Sequence, residues 1–208
     1  MKLNIYASVN ELLQSLAEYF VESANHSIKT NGRFTVALSG GSSPEKLYDL
    51  LASMAFRDSV SWGKVYFFLG DERYVPLTSE ASNFKMINRV LFEPLKINRS
   101  CIFAVDTSLA PAEAAAQYME DIMGIFKGAE PRFDLVLLGL GDNAHTASLF
   151  PFTTILQERN LLSNQFFLRI SKFTASVLQR PLLTWPIVWH SWYMGGERLW
   201  PLKIYWKG

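Results

Sequence analysis

Four times in this chain a short apolar run ends in a polar or glycine-containing loop with a helical segment expected beyond it, and this alternation constrains the fold more than any other feature. The runs are Phe34 to Leu38, Val65 to Leu69, Ile102 to Val105 and Phe133 to Leu138, each with the length and composition of a buried strand. After the first, Ser43 and Pro44 offer an N-cap and a first-turn proline for a helix through about Ala55. The second leads through Asp71-Glu72-Arg73 to a helix from about Ser82 to Phe92, and the third to one from about Pro111 to Phe126. An amphipathic helix comes before them all: Ser8 and Glu11 have capping-box spacing, and Leu13, Leu16, Phe20, Ala24 and Ile28 share one face until Asn31-Gly32. Strands alternating with helices favour parallel pairing, because each crossover helix covers a sheet face. The expectation is an α/β chain in which residues 1–208 form a single-domain, layered, Rossmann-like fold with a mostly parallel sheet flanked by helices.

A chain of 208 residues is long enough to enclose a small ligand within one core. Twenty basic and nineteen acidic residues leave a net charge of +1 with no Lys/Arg block, so nucleic acid is not an expected partner. The single Cys101 has no partner for an internal disulfide and reads as an ordinary strand residue. The amino-terminal sequence lacks the apolar core of a signal peptide, and no apolar run approaches the ~18 residues of a membrane span, so a cytoplasmic protein without membrane contact is expected. Beyond about residue 165 the pattern changes. Five of the six tryptophans lie there, and Pro181, Pro186 and Pro201 interrupt any long helix; buried packing is the expected use of those rings.

In open α/β sheets ligands bind at the carboxyl ends of the strands, and three polar loops of this chain leave such ends. Ser39-Gly40-Gly41-Ser42-Ser43 joins glycines that let backbone N–H groups approach an anion to hydroxyls that donate to it, at a helix N-terminus whose dipole favours negative charge. Phosphate suits that chemistry, although the loop is not a Walker A sequence. In Asp71-Glu72-Arg73, the arginine offers a fork of donors for phosphate or an oxyanion, and either carboxylate could orient it or meet sugar hydroxyls. His145 stands between Asp142-Asn143 and Thr146 at an expected strand-to-helix turn, where an imidazole, with an ordinary pKa of ~6.5, can serve as a general base. His26, on the first helix, and His190, in the tryptophan-rich tail, read as structural or surface residues.

Two local patterns carry less than they promise. Gly139-Leu-Gly141-Asp-Asn-Ala144 fits a loose dinucleotide fingerprint, but no strand ending in an acid follows it at the needed distance. Ala37-Leu-Ser39-Gly-Gly41 resembles a nucleophile elbow, yet Asp142 and His145 are too close together to be the other triad members. No spacing of ligand residues suggests a metal.

Taken in order, Ser39-Gly-Gly-Ser-Ser-Pro44, Gly70-Asp-Glu-Arg-Tyr-Val-Pro76, Ser82-Asn83 with Met86, and Gly139-x-Gly-x-x-x-His-Thr-Ala-Ser-Leu-Phe-Pro151 resemble the signature of 6-phosphogluconolactonases. The resemblance covers roughly residues 5 to 160. It implies the fold shared with glucosamine-6-phosphate deaminases and ribose-5-phosphate isomerases, and hydrolysis of 6-phospho-D-glucono-1,5-lactone to 6-phospho-D-gluconate in the oxidative pentose phosphate pathway, with neither metal nor other cofactor. On this resemblance His145 and Arg73 are the catalytic candidates, and Ser39, Gly40, Gly41, Ser42, Ser43, Asp71, Arg73 and Arg169 the substrate and phosphate candidates. The expected partner is the phosphosugar lactone, and the expected assembly a monomer or weak homodimer. The deaminase branch typically continues its histidine motif as Ile-Ala-Phe-Asn-Glu-Pro, whereas this chain has Thr146-Ala-Ser-Leu-Phe-Pro151. This chain departs from the family pattern at Asn143-Ala144, which replaces an Asp-Gly pair, and in the tail, where Arg169-Ile-Ser171 is a fragment of a longer strand motif and Lys172 a second basic candidate. The alternatives are a non-catalytic sugar-phosphate-binding protein and a glucosamine-6-phosphate deaminase-like enzyme.

Overall fold

The computed structural model describes residues 4–129, 131–139 and 145–152, with the backbone of a short strand at Ala175–Val177. Helix α1 spans Val9–Asn31; Ser8 accepts from the Glu11 N–H at its start, and Gly32 ends it with a left-handed φ of 76°. Then follow β1 (Phe34–Leu38), α2 (Ser42–Ala52), β2 (Val65–Leu69), β3 (Asp71–Arg73), α3 (Asn83–Ile87), β4 (Ile102–Phe103), α4 (Pro111–Ile125), β5 (Leu135–Val136) and β6 (Ala175–Val177).

Strands β1, β2, β4 and β5 form the expected parallel sheet, in the order β4-β2-β1-β5. The chain steps from β1 outward to β2 and β4, then crosses back to lay β5 on the other side of β1. Strand order therefore reverses between β1 and β5, where departing loops diverge and leave a crevice. Right-handed crossovers decide which layer each helix joins. Residues Phe34, Val36, Leu38, Phe67, Leu69 and Leu135 pack in one core with α1, α2 and α3, while Ala37, Phe68, Val136 and Leu138 face the other way, against Ala114, Tyr118 and Ile122 of α4. Every residue of β1 is buried, as a strand covered on both faces must be.

Several elements differ from the sequence reading. Helix α2 starts at Ser42, not after Ser43, because Gly41 adopts a φ of 109° that turns the chain into the helix early; Pro44 occupies the third helical position, and Ser53 closes the last turn through its hydroxyl on the Leu50 carbonyl. The helix expected from Ser82 to Phe92 is an α-helical turn followed by a π-helical one at Asn88–Phe92, which widens the spacing so that Val90, Leu91 and Phe92 are all buried. β4 and β5 are shorter than expected. β3 was not expected at all, and it pairs antiparallel with β6. Cys101 is buried, and His26 is exposed on α1. His190 and the five tail tryptophans lie outside the described residues. Among the described residues, no helix is long and apolar enough to cross a membrane.

Candidate active site

The first loop leaves β1 with its residues divided between interior and surface. Ser39 is buried, and both its peptide N–H and its carbonyl bind the Tyr48 hydroxyl, at 3.0 and 2.8 Å. Gly40 is half-buried, and a Cβ there would lie 1.9 Å from Asn83 Oδ1, so only glycine fits. Gly41 and Ser42 are exposed and Ser43 is half-buried. No side chain caps the start of α2, and the first helical bond runs from the Glu45 N–H to the Gly41 carbonyl at 3.1 Å. Pro44 has no N–H to offer. The N–H groups and hydroxyls of Ser42 and Ser43 thus stand at the positive end of an uncapped helix.

The second loop begins with two buried carboxylates. Glu72 is 0 % exposed and accepts from the Arg73, Asn83 and Phe84 N–H groups at 2.7, 2.7 and 2.8 Å and from Ser82 Oγ at 3.1 Å. Its oxygens are committed to starting α3, so the sequence reading of Glu72 as an alternative sugar contact does not hold. Asp71 is 6 % exposed and accepts from Ser148 Oγ at 2.5 Å, and from Asn83 Nδ2 at the longer distance of 3.4 Å. Burial pushes the Asp71 carboxyl above the usual carboxylate range; the Ser148 hydrogen bond and the charges of Arg73 and His145 pull it back. Arg73 is exposed, with one long hydrogen bond of 3.4 Å to the Ala81 carbonyl.

The third loop brings the histidine. His145 is half-buried, and its ring stacks on Phe150 with centroids 4.4 Å apart and planes 20° from parallel. A tight turn follows it, closed by the Leu149 N–H on the Thr146 carbonyl at 2.9 Å, in which Ala147 takes a left-handed φ of 48°. That turn aims Ser148 at Asp71. Residues 140–144, including Asp142, Asn143 and Ala144, lie outside the described residues, as do Arg169 and Lys172.

All three loops meet, as the sequence implied, and the groups that join them are ones the sequence reading left without a role. Asn83 packs on Gly40 and donates to both the Asp71 carbonyl, at 2.9 Å, and its side chain, tying the first loop to the second. Ser148 ties the second to the third. The adjacency of Ser82-Asn83 to a helix start was the available signal; nothing in the chain order shows that Glu72 supplies that cap from eleven residues away.

A family model described as glucosamine-6-phosphate isomerases/6-phosphogluconolactonase matches residues 7–192. The chain belongs to this family. Within the 6-phosphogluconolactonases, it is 44% identical over 139 residues to the 6-phosphogluconolactonase of Nostoc sp., covering 65% of this chain and 56% of the relative. It is 38% identical over 153 residues to that of Treponema pallidum, covering 73% and 61%. The crystal structure of the 6-phosphogluconolactonase from Thermotoga maritima superposes with a TM-score of 0.69 at 33% identity, covering 80% of this chain and 72% of that one. The chain spans little more than half the length of the curated 6-phosphogluconolactonases it matches.

Proposed function

We propose that this chain hydrolyses 6-phospho-D-glucono-1,5-lactone to 6-phospho-D-gluconate in the oxidative pentose phosphate pathway. The observation that carries this reading is the meeting of the His145 turn with the buried Asp71 carboxylate through Ser148, beside an uncapped helix N-terminus. The phosphate sits against the Ser42 and Ser43 N–H groups and hydroxyls, with Gly40 and Gly41 shaping the loop and Ser39 anchoring it. Arg73 contributes a guanidinium to phosphate or oxyanion, and Arg169 a second cation. His145 removes a proton from water as the oxygen attacks the lactone carbonyl carbon. The tetrahedral oxyanion then collapses, the bond from carbonyl carbon to ring oxygen breaks, and imidazolium returns the proton to that oxygen. Asp71, tied to the His145 turn through Ser148, acts beside the base rather than on phosphate.

No metal or other cofactor enters this mechanism. The proposed setting is the cytoplasm, as a monomer or weak homodimer, without nucleic-acid or membrane partners. The test generates the lactone in situ from glucose 6-phosphate and follows its disappearance with and without protein, since the lactone also opens spontaneously. Acceleration by wild-type protein that is lost in His145→Ala supports the proposal. Folded wild-type protein that leaves the spontaneous rate unchanged, while 6-phosphogluconate still raises its melting temperature, would replace it with a binding protein.

A further inference from the structure

We propose that Tyr48 and Tyr118 are positioning residues, each phenol ending one strand of the sheet and so fixing where a functional loop departs. The inference rests on the proposed lactonase reading for its kinetic consequences, although the contacts themselves do not. Tyr118, from α4, repeats at Leu69 what Tyr48, from α2, does at Ser39: its hydroxyl accepts from the Leu69 N–H at 2.9 Å and donates to the Leu69 carbonyl at 2.8 Å. A single hydroxyl that satisfies both groups of one peptide residue replaces what a neighbouring parallel strand would supply.

The register shows which strand each phenol replaces. On β1 the carbonyls of Thr35 and Ala37 accept from the N–H groups of Asp134 and Leu137, so they face β5. Ser39 is next in that series, and Tyr48 occupies its place. On β2 the Gly70 N–H reaches the Leu38 carbonyl, so Leu69 points the other way, toward β4, whose pairing with β2 stops at Phe68 and Phe103. Tyr118 stands at the next step. Neither neighbouring strand can zip further, and the carboxyl edge opens on both sides of the β1–β2 pair.

The two latches come from opposite layers, Tyr48 from the core shared with α1 and Tyr118 from the core behind α4. Both phenols are buried, and that burial holds them protonated far above the usual phenol range, so each remains a donor throughout the working pH range. Ser39 opens the anion loop, and Leu69 lies two residues before Asp71. Tyr48 therefore governs the binding loop and Tyr118 the loop that carries the carboxylate.

Removing one hydroxyl tests each latch separately. Tyr48→Phe is expected to raise KM and weaken calorimetric binding of 6-phosphogluconate by about tenfold with kcat nearly unchanged, because a small displacement of a positioning group is costly. Tyr118→Phe is expected to lower kcat by about tenfold with KM nearly unchanged. Hydrogen exchange should quicken locally, at residues 39–45 in the first variant and 69–75 in the second. Folded variants with wild-type kcat, KM and ligand affinity would overturn the proposal, as would exchange that quickens evenly through the chain. If wild-type protein does not accelerate lactone opening, the lactonase reading falls and the local exchange pattern alone decides the role of the phenols. Should a variant fail to fold, the wild-type amides of Ser39 and Leu69 decide it: protection equal to the strand interiors upholds the latches, and exchange at loop rates overturns them.

Discussion

Asp71 and Glu72 lie side by side in β3 but face different regions of the molecule. Glu72, turned toward α3, meets four donors, three of them backbone N–H groups, so that each of its oxygens accepts two hydrogen bonds. On the side of the His145 turn, Asp71 meets one short hydroxyl bond and one long carboxamide contact. Burial raises the pKa of both groups, and hydrogen bonds oppose it, but only Glu72 has opposition from every lone-pair direction. A saturated carboxylate is a structural part. One kept buried with fewer partners holds charge at some cost to stability, and that cost marks the side of the strand where chemistry is expected.

The largest expected effect lies with His145, the proposed base, on the Asp71 side. His145→Ala should lower kcat on the lactone by about 100- to 10,000-fold while thermal unfolding stays close to wild type. Glu72→Gln comes next and acts on stability. Its new amide nitrogen must face donors that a carboxylate oxygen now accepts from, so a loss of about 2–4 kcal/mol is expected in urea unfolding. Wild-type stability in that variant would show that the three hydrogen bonds from Ser82, Asn83 and Phe84 do not hold α3. Gly40→Ala should cost about 1–3 kcal/mol through overlap with the Asn83 carboxamide, and Gly40→Ala with Asn83→Ala should recover part of it. Strict additivity of the two losses would sever the link between the first and second loops.

The smallest expected effect has the opposite sign. Asp71→Asn should raise stability by about 1 kcal/mol near neutral pH, because the amide avoids burying a charge and Ser148 Oγ can turn to accept from it, while lactone turnover falls. The folded carboxyl titrates above its unfolded value, so protonated Asp71 costs nothing at low pH and the penalty grows as pH rises through the raised value. The advantage of the variant should therefore be absent in acid and grow as pH rises. Melting curves of both proteins from pH 3 to 8 check this, and an advantage largest in acid would reverse the assignment.

Much of this arrangement was legible because it repeats. The alternation of apolar runs with helical spacing revealed β1, β2, α2 and α4, and the loops at strand ends revealed His145, Arg73 and the Ser39–Ser43 turn. What escaped is long-range. β3 is three charged or acidic residues with no apolar alternation, and it exists through pairing with a segment a hundred residues later. Tyr48 and Tyr118 lie on apolar helix faces, where an aromatic ring is expected for packing alone; only the sheet register reveals that their hydroxyls finish strands. Asn83 reads as the second residue of a helix start, and its contacts with Gly40 and Asp71 depend on two loops arriving together. The sequence placed Ser39 among the open anion donors, but the N–H it might offer is taken by the Tyr48 hydroxyl.

The fit of the Asn83 carboxamide into the space above Gly40 also constrains descent. A lineage that acquires any side chain at position 40 before position 83 shrinks passes through a damaged intermediate, whereas the reverse order opens the space first at the expense of one tie to Asp71. The two positions are thus historically coupled: replacements at 40 should be found only in relatives whose residue at 83 has already given way.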